Sequence, residues 1–410
     1  MSRIVSALRD GAFLTGERLR LWAVALLVGF VAALAFLVVS SHGGVDYDGR
    51  PLGSDFSSFY AAGRLVRAGL SPYDQAALHH MQQALFGART PFYSFAYPPI
   101  FLLIAAPLAT LPYLAALALW QVATLALSLW AMARLWRRRA ALPPNALFFL
   151  LALAFGATFV NLTHGQNGFL SAALLALALS LLEENALAAG VCFGLLAFKP
   201  QLGLLIPFAL AAGGRWRSFA AAAATVAALA LLATFAFGVD AWRGFLAASA
   251  FSQAAILDQG AVGYEKMVSV FAALRLWHAP LAFAYGMQAA SALAVIAAIV
   301  WLWRSPADIR VNGAALCLGV PLITPFVFDY DLMILAPAIA LLAADGSANG
   351  FPPFRRTLLA ALWLAPIAAR GVAQVAHVPL AALLLLTVFA SLCRGEMRRA
   401  QPLKASLAAE

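Results

Sequence analysis

Residues 98–139 read PPIFLLIAAPLATLPYLAALALWQVATLALSLWAMARLWRRR. A membrane helix needs about 20 predominantly apolar residues. The run at 100–111 is too short for that and stops at Pro112, whereas the run at 113–135 is long enough and ends in Trp136-Arg137-Arg138-Arg139. The first apolar run of the chain, 21–40, follows Arg3, Arg9, Arg18 and Arg20, which sets the N-terminus in the cytoplasm. It is too long for a signal-peptide core and is read as an uncleaved first span. If 100–111 also crossed, the three arginines at 137–139 would face outward. Parity therefore predicts that 100–111 is a half-inserted or surface helix with both ends outside.

Composition agrees with a membrane protein. Of 410 residues, 64% are apolar and 11% are charged, with a mean hydropathy of +0.87. Soluble domains average about 45–50% apolar and about 25% charged, so a water-soluble enzyme and a disordered chain are both excluded. Beyond the two spans at 21–40 and 113–135, further spans are expected at 145–161, 168–182, 187–198, 201–213, 218–238, 280–303, 311–327, 332–344, 357–371 and 378–393. The expected fold class is an all-α polytopic membrane protein with about twelve transmembrane helices. The whole chain, 1–410, forms one membrane domain. It has a cytoplasmic N-terminus (1–20), a first outer loop (41–112), a second outer loop (239–279) and a cytoplasmic tail (394–410).

Charge distribution supports this reading. Eighteen of the 27 Lys and Arg residues fall on segments assigned inside, although the outer loops are longer. The net charge of +10 thus marks a membrane face, and nucleic acid is not an expected partner. Cys192, Cys317 and Cys393 lie far apart in or beside apolar runs and form neither a disulfide framework nor a metal motif. No metal ligand set is expected.

Chemistry is expected on the outer face. Ser54-Asp55-Phe56-Ser57-Ser58-Phe59-Tyr60 opens an amphipathic helix that continues through Arg64 and is expected to lie flat on the membrane surface. Asp55 suits a helix N-cap and equally a catalytic carboxylate. Asp74 is expected to cap a second helix that carries His79 and His80. Tyr97-Pro98-Pro99 brings an aromatic ring to the membrane boundary. His164-Gly165-Gln166-Asn167-Gly168 joins two spans with more polar groups than a tight turn needs. Lys199-Pro200 interrupts an apolar stretch, where a cation costs about 2.5–3.5 kcal/mol or more and calls for an anion, a cavity or snorkelling to the interface. Asp329-Tyr330-Asp331 sets two carboxylates at a boundary, able to pair with Lys199 or Arg64 or to flank a sugar. Glu265-Lys266 is a weaker signal in the second outer loop.

The order of Asp55-Phe56-x-x-Phe59-Tyr60-Ala61-Ala62, Ser71-Pro72-Tyr73-Asp74, Tyr97-Pro98-Pro99, His164-Gly165-Gln166-Asn167 and Phe198-Lys199-Pro200 resembles glycosyltransferase family 87, polyprenyl-phosphate-sugar-dependent mannosyl- and arabinosyltransferases. The resemblance runs from the first outer loop to about residue 331. It implies a GT-C architecture with juxtamembrane helices over a lipid-donor groove and a catalytic Asp in the first outer loop, the position of Asp55. Phe59 stands where many relatives have Tyr, and Asp329-Tyr330-Asp331 departs from an expected Ser-Trp-x-His.

The resemblance implies transfer of a hexose such as mannose, or of a pentose, from a polyprenyl phosphate to a lipid or glycan acceptor, with inversion. Asp55 is the expected general base. Lys199, Arg64 and His164 are candidates for the leaving phosphate, and Gln166 and Asn167 for sugar hydroxyls. Tyr60, Tyr97, Asp329 and Asp331 complete the candidate substrate site. The lipid-linked sugar serves as co-substrate, and no further cofactor is expected. The implied location is the cell (inner) membrane, with membrane lipids as surroundings. A secondary transporter or lipid flippase-like protein is the main alternative, and a non-catalytic lipid-binding or scaffold protein a third; a transporter would not need a first outer loop with amphipathic helices before its second span, and a scaffold would tolerate loss of Asp55.

Overall fold

Among residues 2–140 and 142–407, which the computed structural model describes, there is no strand, only three isolated bridges. Residues 408–410 of the expected tail lie outside the described residues. Seven helices are long and apolar enough to cross a membrane: Gly16–Val39, Tyr113–Arg139, Trp216–Phe237, Leu281–Arg304, Asp329–Asn349, Arg355–Ala376 and Leu380–Arg399. An eighth candidate is a bent pair. The expected helix at 145–161 consists of Ala146–Leu153 and Gly156–His164, meeting at 50°. Carbonyls freed at the break are satisfied locally, since Thr158 Oγ1 donates to Ala152 O at 2.9 Å and Trp363 Nε1 to Leu151 O at 2.9 Å. The protein is therefore a multi-pass all-α membrane protein.

Helix length alone does not reach the expected twelve. Gly168–Leu181, Ala186–Phe198, Pro200–Ala212 and Ile309–Ile323 are apolar but short. At 1.5 Å per residue they extend about 20 Å, against a hydrocarbon core of about 30 Å. Gly168–Leu181 and Ile309–Ile323 are buried along almost their whole length, while Gly16–Val39 and Trp216–Phe237 are largely exposed. Two short helices, with the long helix Asp329–Asn349, thus form the centre, and the most exposed long helices the periphery. Gly190 and Gly194 bring Ala186–Leu195 against Trp216–Phe237, where a Cβ at either would collide with Ser218 O or the Thr225 side chain.

The basic segments gather at one end of the bundle. Arg134 and Arg138 pair with Glu184, and Arg139 and Arg215 with Glu183. Arg310 Nη1 donates to Ala344 O at 3.4 Å, and Thr357 Oγ1 to Leu8 O at 2.6 Å. Residues 41–97, 164–168 and 324–331 meet at the other end, as described below.

The helix Phe56–Arg67 does not lie on a membrane surface. Phe56 through Gly63 are all buried, and only its polar side, with Arg64, is exposed. The sequence-based reading found one apolar face, but a second partner covers the helix. Pro99–Leu108, the short helix at the expected half-inserted run, lies so close that a Cβ on Gly63 would strike the Ala105 carbonyl. The second helix, Gln75–Phe86, is capped by Asp74 as expected, its carboxylate accepting from Ala76 N and Ala77 N. Its Gln82 side chain, fully buried, donates to Tyr93 O at 2.7 Å and accepts from Tyr93 N at 3.1 Å. Tyr73 OH donates to Tyr97 O at 2.9 Å. These contacts fasten the extended stretch that carries Tyr97.

Candidate functional site

The turn at 164–168 organises the site. Gly165 ends the helix Gly156–His164 in the left-handed region (φ 66°), where an L side chain is strained, and its Cβ position is already occupied by Phe56. Gly168 N donates to Asn161 Oδ1 at 2.8 Å, and Trp120 Nε1 donates to Gly165 O at 3.1 Å. The turn is therefore fixed from both sides, and Gln166 and Asn167 point from it with set directions.

Asp55 occupies the N-cap position of Phe56–Arg67, yet its side chain makes no cap hydrogen bond. Its backbone N donates to His164 O at 3.0 Å, and its Oδ2 accepts from Gln166 Nε2 at 2.9 Å. Asp55 is half-buried, and its Oδ1 has no protein donor among the described residues. The carboxylate is thus held by the 164–168 turn and not by its own helix.

From Gln166 a continuous network runs inward. Gln166 Oε1 accepts from Tyr97 OH at 3.3 Å and from Asn167 N at 3.1 Å. Asn167 Nδ2 donates to Tyr97 OH at 2.9 Å, and Lys199 Nζ donates to Asn167 Oδ1 at 3.3 Å. Lys199 also pairs with Asp331 at 2.5 Å, whose other oxygen accepts from Phe328 N at 3.1 Å. Lys199 is 3% exposed and Asp331 1%. Snorkelling is excluded, because the ammonium is sealed inside the protein with a carboxylate, below the rings of Tyr330 (4.9 Å) and Tyr97 (5.9 Å). Ala186–Phe198 and Pro200–Ala212 are short because they meet at this residue. Burial pushes the Tyr97 phenol above its ordinary value, which keeps it a neutral donor.

Gln166, Asn167, Tyr97, Lys199, Asp331 and Asp55 thus form one constellation. The amide atoms of Gln166 and Asn167 that were expected to meet sugar hydroxyls are engaged with protein groups, and both residues are buried. In this geometry Gln166 hydrogen-bonds Asp55 and Asn167 hydrogen-bonds Lys199. His164 borders the group. Its Nδ1 donates to Val160 O at 3.0 Å, which leaves Nε2 as the open nitrogen, and its ring lies 6.3 Å from that of Tyr330. Asp329, also buried, pairs with Arg370 at 3.8 Å rather than with Lys199 or Arg64.

Two expected residues are not brought in. Arg64 is exposed, nine residues from Asp55 on the same helix, about 13 Å along its axis. Tyr60 OH donates to Leu111 O at 2.8 Å and serves packing. Conversely, Arg370, Tyr330 and Gln82 were not singled out from the sequence. Arg370 carried a signal, as a cation late in a predicted span. His79 Nε2 contacts Thr90 O at 3.0 Å. No three His, Cys, Asp or Glu side chains come together among the described residues.

An apolar cavity of about 800 Å³ lies between Gly16–Val39, Tyr113–Arg139, Ala146–Leu153, Asp329–Asn349 and Arg355–Ala376, lined toward the basic end by Leu14, Trp136, Asn145 and Arg356 and reaching inward to Phe155 and Met333. Phe155 and Met333 line it, and Met333 Sδ is 4.0 Å from Thr158 Oγ1. Met333 stands two residues after Asp331.

No curated protein and no solved structure matches the chain. The sequence profile of glycosyltransferase family 87 matches residues 95–325, more than half of the chain. The match takes in Tyr97, His164, Gln166, Asn167 and Lys199, while Asp55, Asp329, Asp331 and Arg370 lie outside it. The chain belongs to glycosyltransferase family 87 and is a membrane glycosyltransferase.

Proposed function

We propose that this glycosyltransferase moves a hexose such as mannose, or a pentose, from a polyprenyl-phosphate donor to a hydroxyl of a lipid or glycan acceptor, with inversion and with Asp55 as general base. The observation that carries this reading is the state of the Asp55 carboxylate: oriented through Oδ2 by Gln166, free of capping duty, and open at Oδ1. A sugar hydroxyl is a weak nucleophile until a base within hydrogen-bond reach takes its proton. Asp55 Oδ1 accepts that proton as the acceptor oxygen bonds to the anomeric carbon. The bond from that carbon to the phosphate oxygen breaks, and polyprenyl phosphate leaves with the electron pair. His164 Nε2 faces the same region, while the buried Lys199–Asp331 pair, neutral overall, stiffens the site from beneath.

The basic end of the bundle is read as cytoplasmic by the positive-inside rule. The four short helices are then read as crossings, giving about twelve with the bent pair, in a GT-C arrangement. Asp55 opens to the outer face of the cell membrane.

The test is mass spectrometry of glycolipids and cell-envelope glycans with and without the protein, followed by transfer from synthetic polyprenyl-phosphate sugar in nanodiscs. A new glycosidic bond that appears only with protein and lipid-linked donor is expected. Transfer from a nucleotide sugar, or substrate flux across proteoliposomes without bond formation, would overturn the reading.

A further inference from the structure

The leaving phosphate needs a cation, and the buried candidate is compromised. Lys199 is already neutralised by Asp331 at 2.5 Å and is 3% exposed. Arg64 points away from the site. The structure offers other cations where the second inter-span segment meets Arg355–Ala376. Val268 N donates to Val327 O at 3.0 Å, and Met267 bridges Phe328. That clip sets the 264–268 segment beside Phe328 and Asp329. Glu265, Asp329 and Arg370 line one small pocket.

Arg370 is 34% exposed, and its single ion contact is to Asp329 at 3.8 Å. None of its five N–H donors makes a hydrogen bond within hydrogen-bond distance among the described residues. An arginine on an apolar helix with its donors unengaged is a costly arrangement that an anion would relieve. Lys266, half-buried, has neither ion pair nor side-chain hydrogen bond. Burial pulls its ammonium below the ordinary value, and repulsion from Arg370 adds to this; Glu265, Asp329 and Asp55 oppose it. In sequence Lys266 stands between Glu265 and Met267, which line the pocket with Asp329 and Arg370.

We infer that Arg370 and Lys266 form the binding site for the phosphate of the prenyl donor and of the leaving prenyl phosphate. The inference rests on the transfer reading above and names the part of that site which receives negative charge. Arg370 presents a planar fork that fits two phosphate oxygens, and Lys266 supplies a second point charge. Both act on charge that grows as the sugar–phosphate bond breaks. Asp329 makes only the one ion contact to the guanidinium, at 3.8 Å, and leaves its donors for the phosphate. Glu265, in the same pocket without an ion pair, opposes the anion and limits its affinity, which favours product release.

The test measures binding of farnesyl phosphate, with farnesol and inorganic phosphate as separate arms, to the full chain in nanodiscs. Farnesyl phosphate is expected to bind more tightly than either. Lys266→Gln and Arg370→Gln each weaken it about ten- to hundredfold, the range of a lost charged hydrogen bond. Arg370→Lys keeps part, Glu265→Gln strengthens binding, and farnesol is unaffected throughout. Arg370→Gln also strips Asp329 of its partner; Lys266→Gln breaks no pair and carries the test if the first variant fails to fold. Unchanged farnesyl phosphate affinity in Lys266→Gln and Arg370→Gln overturns the inference. Inorganic phosphate binding as tightly as farnesyl phosphate overturns the assignment to a lipid phosphate. If both variants bind normally while wild-type protein transfers sugar, the phosphate site is wrong and the Asp55 reading stands. If binding depends on both cations in a protein that transfers no sugar, the phosphate site stands and the transfer reading fails.

Discussion

Replacing Asp55 by Asn changes one proton acceptor and little else. Asn has the same shape, and its Oδ1 can still accept from Gln166 Nε2, the contact made at 2.9 Å by Asp55 Oδ2. A hydrogen bond to a charged group contributes about 1.5–3 kcal/mol and a neutral one about 0.5–1.5, so the swap lowers stability by about 1 kcal/mol. No cap is lost, because the Asp55 side chain makes none. With a typical stability of about 5–15 kcal/mol, the variant stays folded. The catalytic effect is larger. Loss of a general base slows transfer about 10²–10⁴-fold, or about 2.7–5.5 kcal/mol of barrier. The two effects therefore separate in one experiment. Transfer of radiolabelled sugar from synthetic polyprenyl-phosphate sugar is followed in nanodiscs, with donor hydrolysis in parallel and thermal unfolding of the same preparation. The expected variant is folded, binds donor, and transfers hundreds-fold more slowly. Transfer within about threefold of wild type, too small a change for a lost base, would refute the assignment.

Gln166→Glu places a second carboxyl against Asp55. Like charges disfavour ionisation, so the base titrates higher and the acid limb of kcat/KM moves to higher pH; a profile superimposable on wild type would remove Gln166 from control of the base. Lys199→Met leaves Asp331 buried and unpaired and is expected to lower stability by about 3–5 kcal/mol. Adding Asp331→Asn, which keeps an acceptor for Phe328 N, should restore most of it in thermal unfolding, and no recovery would deny that the pair is the reason for the loss. Gly63→Leu drives a side chain into the Ala105 carbonyl and should lower stability by about 1–3 kcal/mol or more, read by the same melt; an unchanged melt would show that the two helices can separate freely. In a cysteine-free background, a cysteine at 89 should label from outside and one at 137 should not, and outside labelling at 137 would invert the orientation.

Legibility in the sequence followed the range of the interactions. Asp74 reads as a cap because its partners, Ala76 N and Ala77 N, are its immediate neighbours. Asp55 has the same local signature, and its true partner, Gln166, is 111 residues away. Lys199 announces itself by the energy of a cation among apolar residues, but its anion, Asp331, lies 132 residues on. The amphipathic face of Phe56–Arg67 was visible; that a second helix covers it was not, because periodicity shows that a face is buried and not against what. The break at 153–156 escaped because apolar composition runs through it, and Gly156 alone does not mark a 50° bend. Arg370 looked like one more boundary cation until the fold set it against Asp329.

The arrangement of short helices inside long ones separates two tasks that most enzymes share among the same residues. Lipid meets Gly16–Val39, Trp216–Phe237 and Leu281–Arg304, which are of ordinary length, so the bilayer has no reason to thin around the molecule. The four short helices, of which Gly168–Leu181 and Ile309–Ile323 are almost wholly buried, each have one end near residues 167–168, 199–200 or 323–331. They end around the Lys199–Asp331 pair, which Asn167, Tyr97 and Gln166 connect to Asp55. The outer helices can then drift in sequence with the composition of the host membrane without disturbing that buried network.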